Sequence, residues 1–67
     1  MIMKMWVARN RSGDLQLFEF RPYEYNGMWF EGNDEELEGL FLWPTRFPEV
    51  TFENSPMEVE LKLVSNV

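Results

Sequence analysis

The sequence predicts an all-β protein, a small antiparallel sheet that is rolled or barrel-like, with four to five strands and at most one or two short helical turns. Three observations support this fold class. The turn Asn10–Asp14 joins two apolar segments, Asn26-Gly27 is a strong hairpin signal, and residues 57–63 alternate strictly between apolar and charged side chains. At 67 residues we expect a single domain spanning 1–67.

The segment Met3–Pro22 is predicted to form a β-hairpin whose register is set by its turn. Asn10 suits the first position of a type I turn, and Gly13 falls where a left-handed residue closes a G1 bulge. The resulting pairs are Ala8 with Gln16, Val7 with Leu17 and Trp6 with Phe18. Pro22 lacks an N–H and is expected to end the second strand. Both faces of this ribbon carry apolar side chains, so we expect a fold that covers both.

A second hairpin is predicted around Asn26-Gly27, because a type I′ turn requires positive φ at both central residues. It pairs Tyr25 with Met28, Glu24 with Trp29 and Tyr23 with Phe30. The arm before Asn26 is short, and a loop ending in a single strand is the alternative. In the acidic run that follows, Asn33 suits the N-cap of at most one helical turn over Asp34–Glu38, and a loop is the alternative.

The segment 40–56 contains a short apolar run followed by proline-rich turns. Leu40–Trp43 is compatible with a buried strand but too short to be distinguished from a helical fragment by its period. Two prolines four positions apart argue against a regular strand over Pro44–Val50, and Pro48 suits the first position of a one-turn helix.

Residues 57–63 give the clearest strand pattern in the chain. Apolar side chains at the odd positions alternate with Glu58, Glu60 and Lys62, and this period of two predicts one buried face and one solvated face. The predicted core consists of Trp6, Val7, Leu17, Phe18, Phe30, Val59, Leu61 and Leu63.

The composition limits the class of protein. The net charge is −6, with +2 on residues 1–23 and −8 on residues 24–67, which disfavours direct binding to nucleic acid. No stretch approaches the ~20 apolar residues of a membrane span or the apolar core of a signal peptide, so we expect a cytoplasmic protein that does not contact membranes. Aromatic residues make up 16% of the chain. Burial of these rings is one way to stabilise a small domain with little core, and formation of a homodimer is the other.

Catalytic, metal and cofactor sites are not expected. The chain has no Cys and no His, which excludes Ser-His and Cys-His pairs, thiolate nucleophiles and His/Cys zinc sites. Its four glycines are scattered and form no phosphate-binding loop. The acidic run Asp34–Glu38 lacks the ligand spacing of an EF-hand. We therefore predict a protein that is not an enzyme.

The residues singled out for binding a protein partner are aromatic and acidic. They are Tyr23, Tyr25 and Trp43, with the acids Glu35, Glu36 and Glu38. Exposed aromatic rings would accept a proline-rich or arginine-bearing peptide. In the alternative interpretation the rings belong to the core, and the acids form a solvated surface that keeps the protein soluble.

Two segments resemble a group of short proteins, encoded by bacteria and their prophages, to which no activity is assigned. The first is Trp6-Val7-Ala8-Arg9 followed by Gly13, Leu15, Leu17, Phe18 and Pro22. The second is Phe47-Pro48-Glu49-Val50-Thr51-Phe52-Glu53-Asn54-Ser55-Pro56, ahead of an acidic amphipathic strand. The resemblance covers about two thirds of the chain. It implies mobile or phage-derived DNA as the context, where small accessory binders and inhibitors are common.

Two functions are compatible with these features. The first is a non-enzymatic protein-interaction module that binds an unidentified protein through an aromatic patch or an exposed strand edge. The second is an acidic inhibitor that imitates nucleic acid, which requires many carboxylates on one face. Those acids are Glu24, Glu31, Asp34, Glu35, Glu36, Glu38, Glu53, Glu58 and Glu60. We favour the first, because twelve acids in 67 residues is a modest density for a mimic.

Overall fold

The regular structure of the protein consists of β-strands. The computed structural model describes residues 2–32 and 39–64, and these ranges contain six strands and no helix. The strands are β1 (Ile2–Arg9), β2 (Leu15–Phe18), β3 (Pro22–Tyr25), β4 (Met28–Glu31), β5 (Leu40–Leu42) and β6 (Met57–Lys62). The all-β prediction is confirmed.

The strands form two antiparallel sheets. One has four strands in the order β5-β2-β1-β6, and the other is the hairpin β3-β4. This differs from the single rolled or barrel-like sheet of four to five strands that the sequence predicted, since the described strands do not close into a barrel. Each face of the four-stranded sheet is instead covered locally, by the hairpin on one side and by a loop on the other.

The first turn sets the register of the large sheet. Gly13 has φ of +104°, and its N–H donates to the Asn10 carbonyl (2.9 Å), while the Asn10 N–H donates to the Asp14 carbonyl (2.8 Å). This is the predicted turn with its left-handed residue at Gly13. The predicted pairs are confirmed: Ala8 with Gln16, Val7 with Leu17 and Trp6 with Phe18.

The second hairpin also has its predicted register. Asn26 and Gly27 have φ of +56° and +81°, and the three predicted pairs around them are present. Pro22, however, begins β3 rather than ending β2, and it pairs with Glu31. A proline is tolerated at the first residue of a strand because its missing N–H is not needed there.

The loop after β5 contains turns where a helical turn was predicted. The Val50 N–H donates to the Phe47 carbonyl (2.9 Å), closing a single turn around Pro48 and not a helix. The helical turn predicted at Asp34–Glu38 lies outside the described residues. Of the two interpretations left open for the apolar run, Leu40–Leu42 is the strand, but it is an edge strand and its first two residues are exposed rather than buried.

Two small cores lie on opposite sides of the four-stranded sheet. On one side Val7 and Leu15 pack with Val50 from the loop, and on the other Ala8 and Phe18 pack with Trp29 from β4. Of the predicted core, Val7, Phe18 and Phe30 are buried, and Trp6, Leu17 and Val59 are partly buried. Leu61 and Leu63 were predicted to be buried and are exposed. The prediction failed because β6 is an edge strand that extends past the covering loop.

Trp29 attaches the small hairpin to the large sheet. Its backbone N–H donates to the Asn10 Oδ1 atom and its Nε1–H donates to the Arg9 carbonyl, both at 3.0 Å. Its ring lies 6.2 Å from the ring of Phe52, over which the Arg11 guanidinium sits at 4.9 Å. Hydrogen bonds therefore fix the hairpin at the end of β1, while the rings fill the space beneath it.

Arg9 holds the loop that covers the other face. Its guanidinium donates to backbone carbonyls of the β1–β2 turn and of residues 44–50, and so bridges these two segments. The acceptors are Val50 (2.6 Å, from Nε), Gly13 (2.8 Å) and Pro44 (3.1 Å) from Nη1, and Arg46 and Phe47 (both 3.1 Å) from Nη2. These hydrogen bonds from the planar guanidinium hold the loop in the position where Val50 packs on the sheet.

Candidate protein-interaction surface

One face of the four-stranded sheet, which we call the apolar face, is built almost entirely from apolar side chains. Residues that are paired directly across antiparallel strands project from the same side of a sheet, so the observed registers define this face. Its members are Met3, Met5, Val7, Leu15, Leu17, Leu40, Leu42, Met57, Val59 and Leu61. Among the described strand residues on this side, Arg9 alone is charged, and its guanidinium is bonded to the loop.

Charged side chains of the same strands lie on the opposite face. Lys4 pairs with Glu60 across β1 and β6, and its Nζ lies 3.5 Å from the Glu58 Oε1. Lys62 projects from this side as well, opposite Ile2. The alternation of β6 thus separates charge from apolar surface, as the sequence predicted.

The apolar face is covered at one end and open at the other. Val50 and Phe47 lie over the end near the first turn, whereas Leu40 at one edge is 67% exposed and Leu61 at the other is 56% exposed. Between the cover and the open end is a hollow of about 200 Å³. It is lined by apolar residues of all four strands and by Phe47, with Glu60 at its border. A second hollow of about 210 Å³ lies further along, against Met3, Leu61, Leu63 and Lys62. The face therefore presents apolar depressions beside apolar projections.

The covering loop adds a projecting ring to this surface. Phe47 has φ of +49°, a left-handed conformation that is uncommon for a residue with a bulky side chain. Its carbonyl accepts from both Arg9 and the Val50 N–H, which accounts for how the conformation is maintained. As a result the Phe47 ring borders the hollow and remains partly exposed.

Trp43 marks a second apolar region at the edge of the sheet. It follows β5, is 75% exposed, and borders an open hollow of about 570 Å³ with Phe41, Leu42, Pro44 and Arg46. Because β5 is an edge strand, this region adjoins a strand edge that pairs with no other strand within residues 2–32 and 39–64. Exposed rings next to such an edge are suited to contact with an extended segment of another chain.

The other residues singled out from the sequence lie elsewhere. Tyr25 is exposed in the small hairpin, and Tyr23 is half-buried with its ring 6.1 Å from the ring of Phe30. Neither tyrosine borders the hollow at Trp43. Glu35, Glu36 and Glu38 lie outside the described residues. The predicted aromatic set is therefore divided between the two sheets.

Several of the described acids are engaged in local structure. The Glu24 Oε2 accepts from the Gly27 N–H and the Glu31 Oε1 accepts from the Phe20 N–H, both at 2.7 Å. Within residues 2–32 and 39–64 no group of three or more acidic side chains is arranged to hold a metal ion. The same ranges contain no helix that is long and apolar enough to cross a membrane.

Comparison with known proteins adds no relative, since the chain matches no family model, no curated protein and no solved structure. The candidate surface therefore depends on the geometry alone. The sequence identified Trp43 but not Leu40 or Leu61, whose strands were expected to be buried on their apolar side. It did not identify Phe47 either, which was placed in a helical turn. The signal that was available is the matching alternation of β1, β2 and β6, which predicts a shared apolar face without showing what covers it.

Proposed function

We propose that this chain is a non-enzymatic protein-interaction module that binds its partner through the apolar face. The observation that supports this most is the continuity of apolar side chains across all four strands, up to both exposed edges. Strands about 4.8 Å apart with about five residues each give the whole sheet face an area of about 300 Å² before side-chain relief is counted, and the covering loop takes up one end of it. The largest apolar patch of a small protein is often a contact site.

The edge region at Trp43 extends this proposal. A partner seated on the apolar face reaches β5, where Leu42 borders both the central hollow and the hollow at Trp43. The aromatic patch and the strand edge that the sequence suggested would then belong to one continuous contact surface with the sheet face. The resemblance to bacterial and prophage proteins supports a role as an accessory binder, and a cytoplasmic location remains a prediction.

The alternative, a nucleic-acid-mimicking inhibitor, has less support among the described residues. Glu24 and Glu31 bind backbone N–H groups, and Glu58 lies beside Lys4. Carboxylates that already bind an N–H group or a lysine within the chain interact less strongly with the phosphate-binding site of another protein. The open apolar face also has no role in that function.

Affinity capture tests the proposed function. Tagged wild-type chain, Leu61→Glu and Lys62→Gln are used as baits in extract from the native cell. Both substitutions change the net charge by −1 on adjacent exposed residues, but only Leu61 projects from the apolar face. We expect the captured protein, whether another copy of the chain or a different one, to be lost with Leu61→Glu and retained with Lys62→Gln. Equal capture by both variants would show that the apolar face is not the contact surface.

A further inference from the structure

We infer that the apolar face is covered by the same face of a second copy of this chain, giving a two-fold symmetric dimer in which two four-stranded sheets pack face to face. This inference rests on the proposed function and names its partner. Sheets that pack in this way lie about 10 Å apart, with the side chains of the two inner faces interdigitating. A two-fold interface uses the same patch on both subunits, so the patch must be complementary to itself.

The distribution of charge meets this requirement. Two copies of a chain with net charge −6 repel each other wherever their acidic surfaces meet. By register the described strands direct no carboxylate from the apolar face, because Glu58 and Glu60 project from the opposite side, and Glu60 only borders the hollow. Contact through this face therefore keeps the strand carboxylates of the two copies on outward sides.

The shape of the apolar face is also compatible with packing against a copy of itself. Leu61 and Leu40 project at the two outer strands, and the hollow of about 200 Å³ lies between them over β1 and β2. In a two-fold dimer each copy presents the same projections and the same hollow to the other. Apolar projections and apolar depressions on the same patch are what interdigitation of identical faces needs.

The size of the face fits a weak dimer. One partner contributes about 800 Å² to an interface of standard size. The face of about 300 Å² per copy, before side-chain relief is counted, lies below that size. We therefore expect weak, concentration-dependent association and test for a dissociation constant of about 1–100 µM.

Sedimentation analysis of the full chain from about 1 µM to about 1 mM tests the dimer across that range. The wild type is expected to pass from 8.1 kDa to twice that mass. Leu61→Glu is expected to raise the dissociation constant by about 100-fold or more, because both copies then bury an unpaired carboxylate, while Lys62→Gln changes it by less than about 3-fold. Circular dichroism melts of both variants establish that each remains folded.

Cross-linking separates face-to-face packing from edge pairing. The chain has no native cysteine, so Val59→Cys on the apolar face and Glu60→Cys on the opposite face each introduce a single thiol. A bis-maleimide that spans about 10 Å is expected to link Val59→Cys dimers and not Glu60→Cys dimers. Equal cross-linking of the two would overturn the inference, because strands paired edge to edge bring both positions close to the second copy.

Two further outcomes would overturn the dimer, and they have different consequences for the proposed function. If the wild type is monomeric at about 1 mM, and Leu61→Glu still abolishes capture of a different protein, the second copy is the wrong occupant and the interaction module stands. If the wild type is monomeric and Leu61→Glu captures the same proteins as wild type, the inference and the proposed function both fail.

Discussion

Replacing Arg9 with methionine is expected to release the loop that shapes the apolar face. Methionine retains an unbranched side chain of similar reach and removes the donors. Two of the five hydrogen bonds are partly buried, those to the carbonyls of Val50 (2.6 Å) and Gly13 (2.8 Å), and three near 3.1 Å are exposed. A hydrogen bond from a charged donor contributes about 1.5 kcal/mol when partly buried and much less in water. The expected loss in the free energy of unfolding is therefore about 3 kcal/mol.

That loss is large for a domain of this size. Sixty-seven residues at about 0.05–0.15 kcal/mol each give a total stability of about 3–10 kcal/mol, so the variant should lose between about a third and all of it. The melting midpoint is expected to fall by about 12–24 °C, measured by circular dichroism at one fixed protein concentration. Arg9→Lys keeps the charge but not the fork of donors, and should recover only part of the loss.

Arg46→Met is the matched control for Arg9→Met. It makes the same chemical change and the same change of net charge in the same loop, but Arg46 gives only its backbone carbonyl to Arg9. Its side chain is exposed, so a change within about 0.5 kcal/mol is expected. If Arg9→Met melted within about 3 °C of Arg46→Met, the guanidinium would not be what holds the loop, and the reasoning would be refuted.

Three further substitutions test the packing that supports the sheet, each followed by urea titration against wild type. Phe18→Ala, at a side chain that is 1% exposed, is expected to cost about 3–5 kcal/mol, and an unchanged midpoint would place that ring outside the core. Gly39→Ala would put a methyl group 2.6 Å from the Leu17 carbonyl oxygen and 2.8 Å from the Phe18 ring, so a loss of about 1–3 kcal/mol is expected and neutrality would contradict the close approach of β5. Trp29→Phe keeps an aromatic ring but removes the hydrogen bond to the Arg9 carbonyl, so the free energy of unfolding is expected to fall by about 1 kcal/mol. A gain in stability would contradict this.

Turn chemistry explains why so much of the strand register could be predicted. Gly13 and Asn26-Gly27 adopt positive φ, and once each turn type is assigned the pairing on both sides follows by counting. The error at Pro22 has the same origin. Because proline has no backbone N–H to donate, it is excluded from the middle of a sheet. This does not determine whether it ends one strand or begins the next.

Long-range contacts explain most of what could not be predicted. Nothing near Arg9 in the sequence shows that its guanidinium meets carbonyls some 35 to 41 positions away. The covering loop depends on those bonds, so its turns at Phe47 and Pro48 were also beyond local rules. Sequence pattern does not distinguish such an arginine from an exposed one such as Arg46.

The candidate surface shows a limit of alternation as a predictor of burial. The pattern in β6 correctly separated Glu58 and Glu60 from Val59 and Leu61. It was taken to mean that the apolar side is core, whereas the pattern reports only that the two sides differ. An apolar side is also what a sheet needs when its cover is another molecule.

The methionine methyl groups provide the most direct test of whether the apolar face is covered in solution. Met3 and Met57 on that face and Met28 in the small hairpin have nearly equal exposure in the single chain, at 37%, 38% and 37%. Methyl NMR with a water-soluble paramagnetic probe compares them at about 1 mM protein, above the expected dissociation constant. The account predicts that Met3 and Met57 are shielded relative to Met28 in the wild type and become equally accessible in Leu61→Glu. Equal accessibility of all three methyl groups in the wild type would contradict it.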